Sequence, residues 1–322
     1  MTDLITLNEI KEAQLAFHRL IRKTPIIPFS NSFENDDSDS LFLKLENLQI
    51  TNSYKPRAAF HVMNSLNAEQ RERGIVMTSS GNFAKAFALA GCVFKVKVVV
   101  VLLDQTSQSK IDAIKRYGAE IVFCGSHYSS RKNKMFQVAT EKNMIAIDTT
   151  EDRRVPIAHG SIGMEILNQM EDVQTVLVPC SSGGLIAGIA SAIKLQRPNV
   201  KVVGVQPDGA AAAFHSFFAG KPVTIQNWNS IADGLAATRP GDFPFSHILE
   251  RVDEIVLVSE EEIVYAFSML LKDSKILCEP AGAVSAAAFF ANKIKNPGRT
   301  VSIVSGGNLT SELLIKLLSR KF

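Results

Sequence analysis

Short runs of β-branched and aliphatic residues recur along this chain with helical patterns between them, and that alternation restricts the fold more than any other feature. The runs stand at Gly74–Met77, Val96–Val101, Glu120–Phe123, Met144–Ile147, Thr175–Val178, Lys201–Val205, Glu254–Val258 and Thr300–Val304. A further strand-like stretch covers Leu41–Glu46. Strands that are apolar on both faces must be covered on both faces, and helical crossovers supply that cover in parallel sheets. The helical patterns have recognisable ends. One runs from Ser107 to Tyr117 and closes at Gly118, and Ser259-x-x-Glu262 is a capping box ahead of Ile263–Phe267. The expected fold is α/β, with two subdomains, each holding a mainly parallel sheet flanked by helices. Ligands in such folds gather at the C-terminal ends of strands, so the loops that follow strands are where chemistry is expected.

Composition sets outer limits. The chain has 322 residues, 46% hydrophobic and 21% charged, enough for two well-buried cores. Net charge is +3 with the basic residues scattered, so nucleic acid is not an expected partner. Cys92, Cys124, Cys180 and Cys278 fall in apolar stretches without metal-ligand spacing and are expected to be reduced core residues of a cytosolic protein. Met1–Leu4 lacks the features of a signal peptide, and the apolar runs are interrupted before they could span a bilayer. A cytoplasmic location without membrane contact is therefore expected. Asn35–Ser40 reads as a short polar loop.

Four segments carry candidate chemistry. Lys55 lies in Asn52–Ala59, between the Leu41–Glu46 strand and Pro56. Pro56 is expected to bar Lys55 from the α region and to open a helix through Met63, leaving Lys55 at its N-cap. The positive end of that helix would lower the lysine's pKa, and a neutral amine is what attacks a carbonyl. Thr78–Ala84 offers small residues, the Ser79 and Ser80 hydroxyls and the Asn82 amide at a helix start, which suits a carboxylate or serves as an ordinary cap. Pro179–Leu185 contains Ser181-Ser182-Gly183-Gly184, whose glycines let backbone N–H groups approach a phosphate. It is neither a P-loop nor a dinucleotide turn, and a plain strand–helix turn fits the segment equally well. Ser305-Gly306-Gly307-Asn308 would place one hydroxyl after the last strand. In the run Cys278–Ala283, Glu279 reads as a charge at the start of a closely packed helix. A lysine, a phosphate cradle and a hydroxyl suited to a ring nitrogen together point to pyridoxal phosphate.

With these segments in view, the chain resembles the serine/threonine dehydratase and serine racemase family. These are pyridoxal phosphate enzymes of fold type II, the tryptophan-synthase-β-like fold. The resemblance rests on Ser53–Arg57, Ser79–Asn82, Ser181–Gly188, Ile231–Ala236, Glu279–Ala283 and Ser305–Asn308, in family order from about Lys23 to about Asn308. It implies a large cofactor-binding domain from residues 1–73 and 152–322 and a small substrate-closing domain from residues 74–151. It also implies a homodimer, and it leaves no room after Phe322 for a regulatory domain. By the same resemblance Lys55 corresponds to the Schiff-base lysine, with Tyr54 beside it. Ser181, Ser182, Gly183, Gly184 and Leu185 correspond to the phosphate loop, Asn82 to the partner of the ring hydroxyl and Ser305 to the partner of the pyridine nitrogen. Glu279 is counted with the cofactor contacts, and Ser79, Ser80, Asn82 and Phe83 with the substrate site.

Several positions depart from the family pattern: Phe83 for histidine, Lys85 for glutamine, Ala58 for glycine, and His159 within Ile157–Ser161. Gln206 and Ala212 stand where many members carry acidic metal ligands, so no divalent-cation site is expected. The resemblance implies β-elimination of L-threonine or L-serine to a 2-oxo acid and ammonia, with Lys55 as base. An alternative is amino-acid racemisation with Ser80 as the second acid–base group. A pyridoxal phosphate-binding protein that has lost catalysis is a third.

Overall fold

The computed structural model describes residues 3–29, 40–127 and 130–319. The first helix, α1 (Leu7–Phe17), is closed at its start by a capping box between Thr6 and Glu9. Two strands follow, β1 (Ile26–Pro28) and β2 (Ser40–Lys44), then the helices α2 (Pro56–Asn64) and α3 (Ala68–Arg73). The next stretch alternates: β3 (Ile75–Thr78), α4 (Asn82–Phe94), β4 (Val98–Leu102), α5 (Gln108–Lys115), β5 (Glu120–Phe123), α6 (Ser130–Glu141) and β6 (Ile145–Ile147). After it come α7 (Arg154–Gln169), β7 (Thr175–Pro179), α8 (Gly184–Lys194), β8 (Lys201–Pro207), α9 (Ala212–Ala219), α10 (Asp242–Arg251) and β9 (Glu254–Val258). The chain ends with α11 (Glu260–Ser274), α12 (Pro280–Phe290), β10 (Arg299–Ile303) and α13 (Ser311–Leu318).

The strands form two sheets. The larger has the order β1-β2-β10-β7-β8-β9, and the smaller β5-β4-β3-β6. Every pairing is parallel except β1 against β2, so the larger sheet is mixed at one edge. The fold is α/β, as the alternation of runs implies. Strands β7 and β4 are buried at all five positions, which is why they read as unbroken apolar runs. Two hydroxyls that enter this core are bonded: Ser302 donates to Ser285 Oγ (2.9 Å), and Ser285 to the Ile303 carbonyl (2.7 Å).

Some expectations need correction. Cys180 and Cys278 are buried, but Cys92 is exposed and Cys124 partly so, because both sit where an apolar stretch reaches an outer surface. Of the polar run Asn35–Ser40, only Ser40 lies within the described residues, and it opens β2.

The register of the larger sheet positions the site. Thr300 and Val301 of β10 face Thr175 and Val176 of β7, so the loops after these two strands emerge side by side. Helices α7 and α8 cross closely on one face of the sheet. A Cβ at Gly188 would lie 2.1 Å from the Pro156 carbonyl oxygen and 2.7 Å from Gly160 N, so only glycine admits this approach. The first turn of α8 is thereby pressed against α7.

Candidate active site

Lys55 is carried to the end of β10 by backbone bonds that are distant in sequence. Ser53 pairs with Gly306 as an antiparallel bridge, Tyr54 N donates to the Ser305 carbonyl (3.2 Å), and Gly307 N to the Asn52 carbonyl (2.8 Å). Lys55 is the N-cap of α2, yet its backbone is αR (φ −58°, ψ −30°), against the local preference of a residue before proline. The reason is tertiary. Arg57 N donates to the Tyr54 carbonyl and Ala59 N to that of Lys55, both at 3.1 Å, and the Arg57 side chain is anchored in a buried cluster. Arg57 meets Glu46 (2.9 and 2.8 Å) and Glu165 (2.7 and 3.0 Å), and Lys44 meets Glu165 at 2.6 Å. Two cations balance two carboxylates. Burial works against the Arg57 charge, but Glu46 and Glu165 outweigh it and raise its pKa. Removing one member of such a cluster strands a buried charge and costs about 3–5 kcal/mol.

The Lys55 amine lies 4.0 Å from the ring centroids of both Tyr54 and Phe83 and hydrogen-bonds the Tyr54 hydroxyl. Protein encloses it except where it opens to a cleft. Burial lowers its pKa to about 7, with the Glu279 charge pulling the other way. The main cause is therefore burial, where the sequence pointed to the helix dipole. Beside these rings lies His159, a buried residue within α7. Its ring is 4.8 Å from that of Tyr54 and 6.2 Å from that of Phe83, and Nδ1 is 3.3 Å from the Gly184 carbonyl. Burial, then the Lys55 charge, depresses its pKa well below the usual histidine value, so the imidazole is neutral.

The cleft has a volume of about 1030 Å³, and it gathers Lys55 and Tyr54 with the loops after β3, β7 and β10. Ser79, Ser80, Asn82 and Phe83 line it on one side; Ser181, Ser182, Gly183, Gly184 and Leu185 on another; Glu279 and Ser305 complete it. Helix α4 begins at Asn82 with no side-chain cap, so the N–H groups of its first turn remain for a ligand. Helix α8 likewise lacks a side-chain cap, and Gly183 precedes it at φ +100°, a conformation glycine adopts without strain. Donors left open at a helix start form an anion site. Ser181 Oγ accepts from Ala237 N (3.2 Å), while Ser305 Oγ donates to the Ala281 carbonyl (3.3 Å) and keeps lone pairs for another partner.

Glu279 is more than a charge at a helix start. It stands at the N-cap position of α12 without a side-chain bond to that helix, and accepts from Asn82 Nδ2 at 2.8 Å. Burial, and then the Asp233 charge, push its pKa up to about 7. Asn82 Oδ1 in turn accepts from Asn308 Nδ2 (2.7 Å), and Asn308 Oδ1 from Lys85 Nζ (2.9 Å). Sequence reasoning missed Asn308 as a hub and missed the Lys44–Glu46–Arg57–Glu165 cluster. The one local trace of the cluster is a pair of charges, Lys44 and Glu46, alternating with Leu43 and Leu45 in a strand-like stretch.

On the cation question, Gln206 Oε1 accepts from Phe214 N (2.9 Å) and Ala212 begins α9. Among the described residues no group of three or more His, Cys, Asp or Glu converges to hold a metal. No described helix is long and apolar enough to cross a membrane.

An amine near neutrality, an open anion cradle at the start of α8 and a hydroxyl at the end of β10 are the fittings of a pyridoxal phosphate site on an α/β frame. Residues 18–306 match the pyridoxal-phosphate dependent enzyme family, and the chain belongs to it. It is 36% identical over 310 residues to the catabolic L-threonine dehydratase TdcB of Staphylococcus aureus, covering 95% of this chain and 90% of that protein. It is 34% identical over 318 residues to an L-threonine ammonia-lyase of Thermotoga maritima, covering 98% of this chain and 79% of the other. Among solved structures, maize serine racemase superposes with a TM-score of 0.90 at 31% identity, covering 97% of this chain and 98% of that one. The chain is thus an enzyme of fold type II whose cofactor is pyridoxal phosphate.

Proposed function

We propose that this enzyme eliminates the β-hydroxyl of L-threonine or L-serine, giving a 2-oxo acid and ammonia. The observation that carries the reading is the Lys55 amine, with a pKa lowered to about 7, in a cleft with open helix starts on two sides. Bound pyridoxal phosphate supplies a carbonyl that condenses with amines and a ring that draws electrons from the α-carbon. Ser181–Leu185 would hold its phosphate, Asn82 its ring hydroxyl and Ser305 its ring nitrogen, with Tyr54 and Glu279 as further contacts. A neutral Ser305 hydroxyl leaves the ring a weak electron sink, which favours prompt loss of a β-substituent over transamination. The substrate carboxylate docks on Ser79, Ser80, Asn82 and Phe83 at the start of α4. Lys55 would take the α-proton of the bound substrate onto Nζ. The β-hydroxyl would depart as water with the proton returned from Lys55 Nζ, and the released enamine would hydrolyse to the 2-oxo acid and ammonia. Phe83 and Tyr54 exclude water from the amine.

The homologous L-threonine dehydratase and L-threonine ammonia-lyase support the substrate class. We further infer that residues 74–151 close on substrate as a small domain, and that the enzyme is a cytosolic homodimer. Exposed Ile315 and Leu318 on α13 support self-association.

Racemisation is the second reading, favoured by the Ser80 hydroxyl lining the cleft on the carboxylate loop and by the likeness to maize serine racemase. Elimination needs one base, Lys55. Racemisation needs a proton donor on the opposite face, a role assigned to Ser80. Ser80→Ala is expected to abolish racemisation while part of the L-dehydration survives, measured by chiral product analysis. Equal loss of both would leave Ser80 a binding residue alone.

A further inference from the structure

Lys85 lines the cleft, half-buried, one helical turn after Asn82 on α4. Its hydrogen-bond partner is a neutral amide oxygen, Asn308 Oδ1, at 2.9 Å. From there donors run in one direction. Asn308 Nδ2 donates to Asn82 Oδ1 (2.7 Å), and Asn82 Nδ2 donates to Glu279 Oε1 (2.8 Å). The Lys85 amine stands at one end and the Glu279 carboxyl group at the other. Each link joins α4 to a loop of the unit built on the larger sheet, so the chain of bonds also ties the two units together.

An ammonium only donates, so Asn308 must turn its oxygen to Lys85 and both N–H bonds away. Those two N–H bonds are used, on Asn82 Oδ1 and on the Thr51 carbonyl at 2.8 Å. Asn82 then has its oxygen occupied and one N–H on Glu279, which leaves one N–H for an acceptor in the cleft. The Thr51 carbonyl asks for the same orientation of Asn308. What Lys85 adds is charge: a charge-assisted bond is roughly twice as strong as a neutral one, and it polarises the next link.

We propose that Lys85 is a positioning residue that acts through Asn308 to hold the Asn82 amide with an N–H toward the cofactor's ring oxygen. This rests on the reading of the cleft as the pyridoxal phosphate site with Asn82 at the ring hydroxyl. Cofactor-free protein is titrated with pyridoxal phosphate, and the dissociation constant is read from the visible absorption of the bound cofactor. Lys85→Met is expected to weaken binding about ten-fold, the effect of one charge-assisted bond. Lys85→Arg, which keeps a cationic donor, is expected to stay within about two-fold of wild type. In an Asn82→Ala background, Lys85→Met is expected to add nothing further, because the path runs through Asn82. Lys85→Gln provides the same cycle if the methionine variant folds poorly. Unchanged binding in Lys85→Met, or an equal loss with Asn82→Ala already present, would overturn the positioning role. Failure of wild-type protein to take up pyridoxal phosphate at all would overturn the underlying reading of the cleft instead.

Discussion

Lys55 combines two demands that conflict in water: a fixed position on a mobile stem and a neutral amine near pH 7. Tyr54 and Phe83 meet the first by packing against the amine, with the Tyr54 hydroxyl bonded to it, and the burial around it meets the second. Below its folded pKa of about 7 the amine is charged and inert toward a carbonyl; above it the amine is neutral. The rate at which cofactor-free protein captures pyridoxal phosphate is therefore expected to rise through pH 7 and then level off, as stopped-flow absorbance would show. A rate that kept rising toward the usual lysine range would contradict the lowered pKa. Glu279 pulls the Lys55 pKa upward, so Glu279→Gln should move the midpoint to lower pH. The same shift links to stability. Between about pH 7 and the ordinary lysine value the unfolded chain binds the extra proton, so Lys55 contributes stability that grows as pH rises across that window.

Helices α7 and α8 are the elements on which the site depends. α7 carries His159 and Glu165, and α8 opens on the cleft with no side-chain cap. Their approach is set at Gly188, where an added Cβ meets backbone atoms that cannot swing aside. Gly188→Ala is expected to destabilise the fold by about 1–3 kcal/mol, and thermal unfolding should show a lower Tm. A Tm equal to wild type would show that the helices separate freely. At this scale the sequence was legible where signals are local. The capping box at Ser259 and Glu262 is present as read, and the spans of β5 and β9 coincide with their apolar runs. It was illegible at β1, whose three residues Ile26–Pro28 are too few for a period and end in proline. It misled at Lys55, because the local effect of Pro56 is overridden by bonds to residues far along the chain.

The whole molecule brings strand ends from two sheets onto one cleft. The three loops could be picked out beforehand because a strand, small residues and a helix start leave a local signature. The Lys44–Glu165 and Arg57–Glu165 pairs span more than a hundred residues, as do the bonds that converge on Asn308, and nothing local announces them. At the same scale, the end of β8 and the start of α9 offer Gln206 and Ala212 where a cation would need carboxylates. Treatment with a chelator should thus leave Tm and turnover unchanged, and a loss restored by magnesium would refute that expectation. β-Elimination by Lys55 with pyridoxal phosphate is tested by 2-oxo acid formation from L-threonine and L-serine, measured for the cofactor-loaded protein and its Lys55→Ala variant. The expected result is steady 2-oxo acid and ammonia release by the wild type, and a folded variant that releases neither. A cofactor-loaded wild type inert toward both substrates, or a variant turning over at the wild-type rate, would contradict it.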